Sequence, residues 1–196
     1  VGARYYREPV CTFTEDNEMA AHQVVHALME RGFTRIGFAG SPLFSAAFSE
    51  RYFGFRQSCY RAGISVQTQD EWLDLLPGSD NEETESAVLR HLERQKELPE
   101  AFFCGNDLLA VTLAKVFRRN GVRVPEDISL VGVDFNQLGQ MAEPRLTTVD
   151  IGCNRQVEAA VEQLIAFIET NTYKPARVLL PTALRWGDSI GTKRPC

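Results

Sequence analysis

Residues 101–134 read AFFCGNDLLAVTLAKVFRRNGVRVPEDISLVGVD, and this run holds one complete unit of the fold. Ala101 to Cys104 is a short apolar run with the length of a buried strand. Asn106 or Asp107 then caps a helix whose apolar positions Leu109, Ala110, Leu113 and Phe117 recur at helical spacing, until Asn120-Gly121 closes it. Ile128 to Val133 is the most apolar strand of the chain, which places it at the centre of a sheet. A strand, a helix and a second strand in this order make a βαβ unit: its strands run parallel and its helix crosses over one face.

The same alternation extends outward in both directions. Upstream, Val10 to Thr14 reads as a strand, and Asp16 caps a helix with Ala20, Ala21, Val24, Val25 and Leu28 on one face, ended by Gly32. Thr34 to Ala39 is the next strand, Gly40, Ser41 and Pro42 form a loop, and Phe48, Tyr52, Phe55 and Cys59 mark a helix that Gly63 terminates. A weaker strand at Trp72 to Leu76 leads through Pro77 and Gly78 to an acidic helix start, Asn81 to Glu85, whose carboxylates suit the positive end of the helix dipole as a solvated cap. Downstream, Asn136 to Pro144 is irregular or briefly helical and Leu146 to Val149 is extended. Val157, Ala160, Val161, Leu164 and Ile168 then give a last amphipathic helix. The fold class predicted is α/β, three layers in the order αβα around a mostly parallel sheet.

Composition supports a folded core and excludes several classes of function. The 196 residues are 44% hydrophobic and 24% charged, which suits one globular core. The formal net charge of −5 supplies no diffuse positive field to hold a polyanion, so this segment alone is a poor DNA binder. Its apolar runs fall far short of the ~20 residues needed to cross a bilayer, so no membrane partner is expected. The opening Val-Gly-Ala-Arg-Tyr-Tyr-Arg-Glu has neither an initiator Met nor an apolar signal core, which suggests a piece of a longer, cytoplasmic protein. The five cysteines, Cys11, Cys59, Cys104, Cys153 and Cys196, are odd in number and widely spaced, unlike a disulfide framework or a zinc site. Cys104 lies in an apolar run, where a buried structural thiol is a better reading than a nucleophile.

In a parallel sheet, ligands collect beyond the carboxyl ends of the strands. That rule selects Asp16 and Asn17, Ser41 to Arg51, Ser79 to Asn81, Asn106 and Asp107, and Asp134 to Gln137. Together these groups suit a polyhydroxylated or amide-bearing small molecule, because Asp accepts, Arg donates in a fork and Asn does both. Esterase and P-loop motifs are missing, and no glycine pattern fits a dinucleotide, so neither catalysis nor a cofactor is expected. His22 and His26 stand four apart on one helix without a third ligand, and half-exposed surface histidines are the plainer reading, so no metal is expected. Asp16 and Asp134 could do acid/base work, yet acidic residues after strands commonly cap helices.

Several of these stretches resemble the lactose-repressor/galactose-repressor (LacI/GalR) family of bacterial transcription regulators. Asp16-Asn17 and the helix running to Glu-Arg-Gly-Phe-Thr-Arg-Ile-Gly-Phe-Ala-Gly resemble the family's D-N helix and following strand, with Phe33 where His is usual. Arg51-Tyr-Phe-Gly54-Phe55 resembles its R-x-x-G-[FYW] motif. Three further segments follow in the family's order: Ala101 to Asp107, Gly121 to Asp134 with its V-P-E-D-I-S run, and Pro144-Arg-Leu-Thr-Thr148-Val. Free-standing periplasmic sugar-binding proteins share the fold but resemble the V-P-E-D-I-S and L-T-T elements less well; such a protein is the alternative.

The resemblance implies a periplasmic-binding-protein-like (type I) subdomain. In this reading residues 1–9 are a remnant of a first subdomain, 10–150 the C-terminal effector-binding subdomain, 151–175 a crossover helix packed on the first subdomain, and 176–196 a return strand and tail. It implies a homodimer that binds a small effector, commonly a sugar, between two subdomains and reaches operator DNA through an N-terminal headpiece outside these residues. Effector contacts carry over to Arg51, Asp134, Asn106 and Asp107, with Ser45, Phe44 and Asp16 on the same rim. Ser45 and Ala47 fall where the family varies with effector type, and Phe44 or Phe48 could stack on a sugar face or serve the core. An arginine early in a helix, as Arg51 is, opposes the helix dipole, which favours a ligand role over a surface ion pair. Ala110, Leu113 and Met141 carry over to a dimer surface, with core packing as the competing account of Leu113. Gly187 replaces a family arginine two residues before Ser189. Without a first subdomain to cover them, Val157, Val161, Leu164 and Ile168 are expected to drive self-association or leave their helix disordered.

Overall fold

The computed structural model describes residues 10–78 and 81–192. The expected remnant at 1–9, the polar candidates Ser79 and Asp80, the side chain of Asn81, and Cys196 lie outside the described residues.

The elements run β1 (Thr12–Glu15), α1 (Asn17–Glu30), β2 (Ile36–Ala39), α2 (Ala46–Arg61), β3 (Glu71–Trp72), α3 (Asn81–Arg94), β4 (Ala101–Cys104), α4 (Asp107–Arg119), β5 (Ser129–Val133), α5 (Gln137–Met141), β6 (Thr147–Asp150), α6 (Cys153–Thr170), β7 (Arg177–Leu180) and β8 (Ala183–Arg185). Six strands form one sheet in the order β3-β2-β4-β5-β6-β8. All its pairings are parallel except β6 with β8, which is antiparallel. The three-layer α/β expectation is therefore met, with β4 and β5 at the centre.

Strand periodicity builds two cores from one sheet. Phe102 and Cys104 of β4 join Leu109, Leu113 and Phe117 of α4 and Val88 of α3 on one face. Ala101 and Phe103 point the other way, into Val24, Val25 and Leu28 of α1 and Phe55 and Cys59 of α2. Trp72, Phe38, Phe55, Phe102, Phe103 and Phe117 are all fully buried, and each contributes about 1.5–3 kcal/mol or somewhat more for the largest rings. Four helices open on a side-chain cap. Asp16 accepts from Met19 N at 2.9 Å, Ser45 from Phe48 N at 3.3 Å, and Asn136 from Gly139 N at 2.9 Å. Asn106, rather than Asp107, caps α4 by accepting from Leu109 N at 3.0 Å.

The structure departs from the sequence reading in three places. The weak strand at Trp72 to Leu76 shrinks to Glu71–Trp72, because it pairs on one side only and the chain then turns to bury Leu75. The first strand does not open the large sheet: β1 pairs in parallel with β7 in a separate two-stranded sheet. The segment after α6 supplies two strands, β7 to the small sheet and β8 to the large one. Helix α6 packs on β1 and is regular over its 18 residues, so the disordered alternative does not apply; Val157, Val161, Leu164 and Ile168 on it are 47 to 70% exposed.

The tail is tied down without the family arginine. Ser189, fully buried, donates to Leu130 O at 2.6 Å and accepts from Thr147 N at 2.9 Å, stitching β5 to β6. Gly187 N donates to Thr147 Oγ1 at 3.0 Å, and a Cβ at Gly187 would overlap the carbonyl oxygens of Arg145 and Leu146. Gly187→Ala is therefore expected to destabilise the fold by about 1–3 kcal/mol, seen as a lower urea midpoint with an unchanged slope; a midpoint equal to wild type would show that the tail yields.

Candidate functional site

The carboxyl ends of β1, β4, β5 and β6 meet above α2, and one side chain joins most of them. Arg51 lies one turn into α2 with its side chain 4% exposed. Its Nε donates to Asn17 Oδ1 at 2.8 Å and its Nη1 to the Gly105 carbonyl at 2.7 Å. Nη2 faces two carboxylates, Glu15 Oε1 at 3.3 Å and Asp134 Oδ1 at 3.6 Å. Asn17 in turn donates to Glu50 Oε2 at 2.9 Å, and Gln156 of α6 donates to Glu15 Oε2 at 3.3 Å. A buried guanidinium needs this set, because one unmatched charge in a low-dielectric interior costs several kcal/mol.

Asp134 reaches solvent, its side chain 28% exposed. It lines an open groove of about 710 Å³ between Asp134–Asn136 after β5 and Asp150–Arg155 after β6. Its φ is 117° and that of Phe135 is 53°, two consecutive non-glycine residues in a region that L side chains disfavour by about 1–3 kcal/mol each. The fold holds this turn from beneath. Asp107 is fully buried and accepts from Thr148 Oγ1 at 2.5 Å and from Asn136 N at 2.9 Å, while Gly132 has no side chain because a Cβ there would overlap Asp107 Oδ1.

Burial pushes the Asp107 carboxyl up to about 6, with the Thr148 and Asn136 hydrogen bonds and Arg51 opposing. Burial likewise raises Asp134 to about 6 despite Arg51, with Asp107 and Glu15 adding to the rise. Asp150, which burial alone would raise, is held below the ordinary range by Arg185 at 2.9 Å and Gly152 N at 2.8 Å.

The structure brings Arg51 and Asp134 together and places Asp107 directly beneath them, with both its oxygens committed to protein donors. Asp16, Ser45 and Asn106 sit at the same end of the sheet as helix caps. Phe44 is half exposed and meets Phe48 edge-on at 5.1 Å, with Phe48 itself in the core. Ala110 and Leu113 are fully buried within the core, where apolar groups gain most, so they offer no dimer surface; of the three residues expected there, Met141 alone is exposed, at 74%. Cys104 is buried and its thiol is raised by that burial, as suits a structural residue. Among the described residues no three His, Cys, Asp or Glu side chains converge as a metal site, and no helix is long and apolar enough to cross a membrane. Sequence reasoning missed Glu15 and Gln156. An acid at the close of a short strand-like run was the available sign for Glu15, whereas nothing local marked Gln156.

The α/β core thus carries an Arg–Asp pair near the carboxyl ends of its strands. Residues 25–190 match the periplasmic binding protein-like domain family, and the chain belongs to it, on its LacI/GalR side. It is 32% identical over 171 residues to the NTD biosynthesis operon regulator NtdR of Bacillus subtilis (strain 168), covering 87% of this chain and 50% of that protein. It is 29% identical over 155 residues to the HTH-type transcriptional repressor PurR of Aliivibrio salmonicida, covering 79% of this chain and 45% of that protein. A solved structure of the transcriptional regulator CelR in complex with cellobiose superposes with a TM-score of 0.81 at 27% identity, covering 93% of this chain and 54% of that one. The chain thus spans about half the length of the curated relatives it matches, and those relatives are transcription regulators.

The two raised carboxyls give the site a pH dependence with a definite sign. An acid whose folded pKa lies above its unfolded value holds its proton more tightly when folded, so stability rises as pH falls from about 6 toward 4. Asp134→Asn is expected to flatten that rise in urea titrations between pH 7.5 and 4.5; parallel curves for variant and wild type would remove Asp134 from the account.

Proposed function

We propose that this chain is the effector-sensing part of a bacterial transcription regulator, binding a small metabolite, most simply a carbohydrate, without transforming it. The observation that carries this reading is the Arg51–Asp134 pair: a buried fork from α2 and an acceptor after β5 at the lip of an open groove. Hydroxyl groups match such a lip, since a carboxylate accepts two of them and the neighbouring Asn136 can donate or accept. The cellobiose complex of the CelR structure supports a carbohydrate over other metabolites.

In this reading β1, α6 and β7 belong with a first subdomain that completes the groove and covers the apolar stripe on α6; without that cover the stripe drives self-association. Binding between the two subdomains favours one of their arrangements, and the complete cytoplasmic protein reads that shift through a DNA-binding headpiece. A homodimer forms through the face of α4 and α5 that carries Met141.

Two experiments on the complete gene product test this. Thermal-shift screening against sugars and purines is expected to find a ligand that raises the melting temperature, since a ligand at 100 times its Kd adds about 2.7 kcal/mol. Arg51→Ala and Asp134→Ala should each abolish the shift, and two variants that respond like wild type would refute the site. Met141→Asp should lower the sedimentation mass from dimer toward monomer, and an unchanged dimer mass would refute that interface.

A further inference from the structure

The donors of Arg51 are used on unequal terms. Nε and Nη1 make short bonds, 2.8 Å to Asn17 and 2.7 Å to Gly105. Nη2 is divided between Glu15 at 3.3 Å and Asp134 at 3.6 Å, although a closed guanidinium–carboxylate bond lies near 2.7–2.9 Å. The second oxygen of Glu15 is held no more tightly, at 3.3 Å from Gln156 Nε2. Glu15 and Asp134 therefore crowd two negative charges onto one donor, and Glu15 is 7% exposed, with little water to screen it. The two acids also come from different sheets: Glu15 ends β1 of the small sheet, and Asp134 follows β5 of the large one. A donor shared in this way is the part of the network that is cheapest to reassign.

Resting on the effector-binding reading above, we propose that Glu15 is a resident competitor for Arg51. With no effector, Glu15 occupies the Nη2 donor. An oxygen of an incoming effector, seated in the groove against Asp134, takes over that donor, and Glu15 withdraws onto Gln156. Glu15 thereby sets effector affinity, and because it rides on β1 while Gln156 rides on α6, the exchange ties occupancy to the position of the small sheet against the large one. A neutral effector hydroxyl in place of Glu15 also relieves the repulsion at Asp134, so the exchange favours uncharged, oxygen-bearing ligands over carboxylates.

The test uses the complete gene product with a library of monosaccharides, cellobiose and other disaccharides, and nucleobases, read by thermal shift and then calorimetry. For the compound that binds wild type, Glu15→Gln is expected to lower Kd about tenfold, the effect of removing a competitor that holds the site roughly nine-tenths of the time. Glu15→Asp, which keeps the charge but shortens its reach, should tighten binding in the same direction. Gln156→Met, which removes the place Glu15 withdraws to, should weaken binding. Opposite signs for the Glu15 and Gln156 variants are not what loosened packing produces. A folded Glu15→Gln that binds as wild type does, or more weakly, overturns the competitor role while leaving the site intact. If no compound binds wild type or any variant, the effector-binding reading itself fails.

Discussion

A guanidinium buried to 4% exposure cannot be left unmatched, and that requirement organises the end of the molecule where the strands finish. Meeting it takes the junction of β1 and α1, the turn after β4 and the turn after β5, so three separate chain segments are fixed around Arg51. The cost of desolvating the charge is offset by short bonds at Nε and Nη1. The looser bonds at Nη2 leave one direction in which the network can change partners. Stability and responsiveness are thus assigned to different nitrogens of the same side chain.

Beneath this network lies a second carboxylate with a different duty. Asp107 starts a helix, receives the Thr148 hydroxyl and the Asn136 N–H, and fills the space that Gly132 leaves open. It supports the turn in which Asp134 and Phe135 adopt positive φ, so the strain of that turn is met by hydrogen bonds from below. Two acids that look alike in sequence, each near a strand end, serve as support and as lip.

Much of the fold was legible because strand and helix periods are local. The βαβ run at 101–134, the cap Asp16, the cap at Asn106 or Asp107, and the helix ending at Gly32 all rest on neighbours in sequence. The membership of β1 was not legible, since a strand's own residues do not reveal which sheet it joins; only its pairing with Arg177–Leu180, far along the chain, decides that. The burial of Ala110 and Leu113 was ambiguous for a related reason: a helix with apolar residues on more than one side can serve a core or an interface. At the candidate site, Arg51 and Asp134 were visible as polar residues after strands, whereas Gln156 was invisible because its role depends on α6 crossing over β1.

The margins of the large sheet carry a consequence for how such a molecule stays apart from its own copies. One border is β3, only two residues long, and the other is β8, three residues long and run against the direction of the rest. Brief borders like these expose few backbone amides on which a stranger's extended segment could template itself, which discourages fibril growth from the central layer.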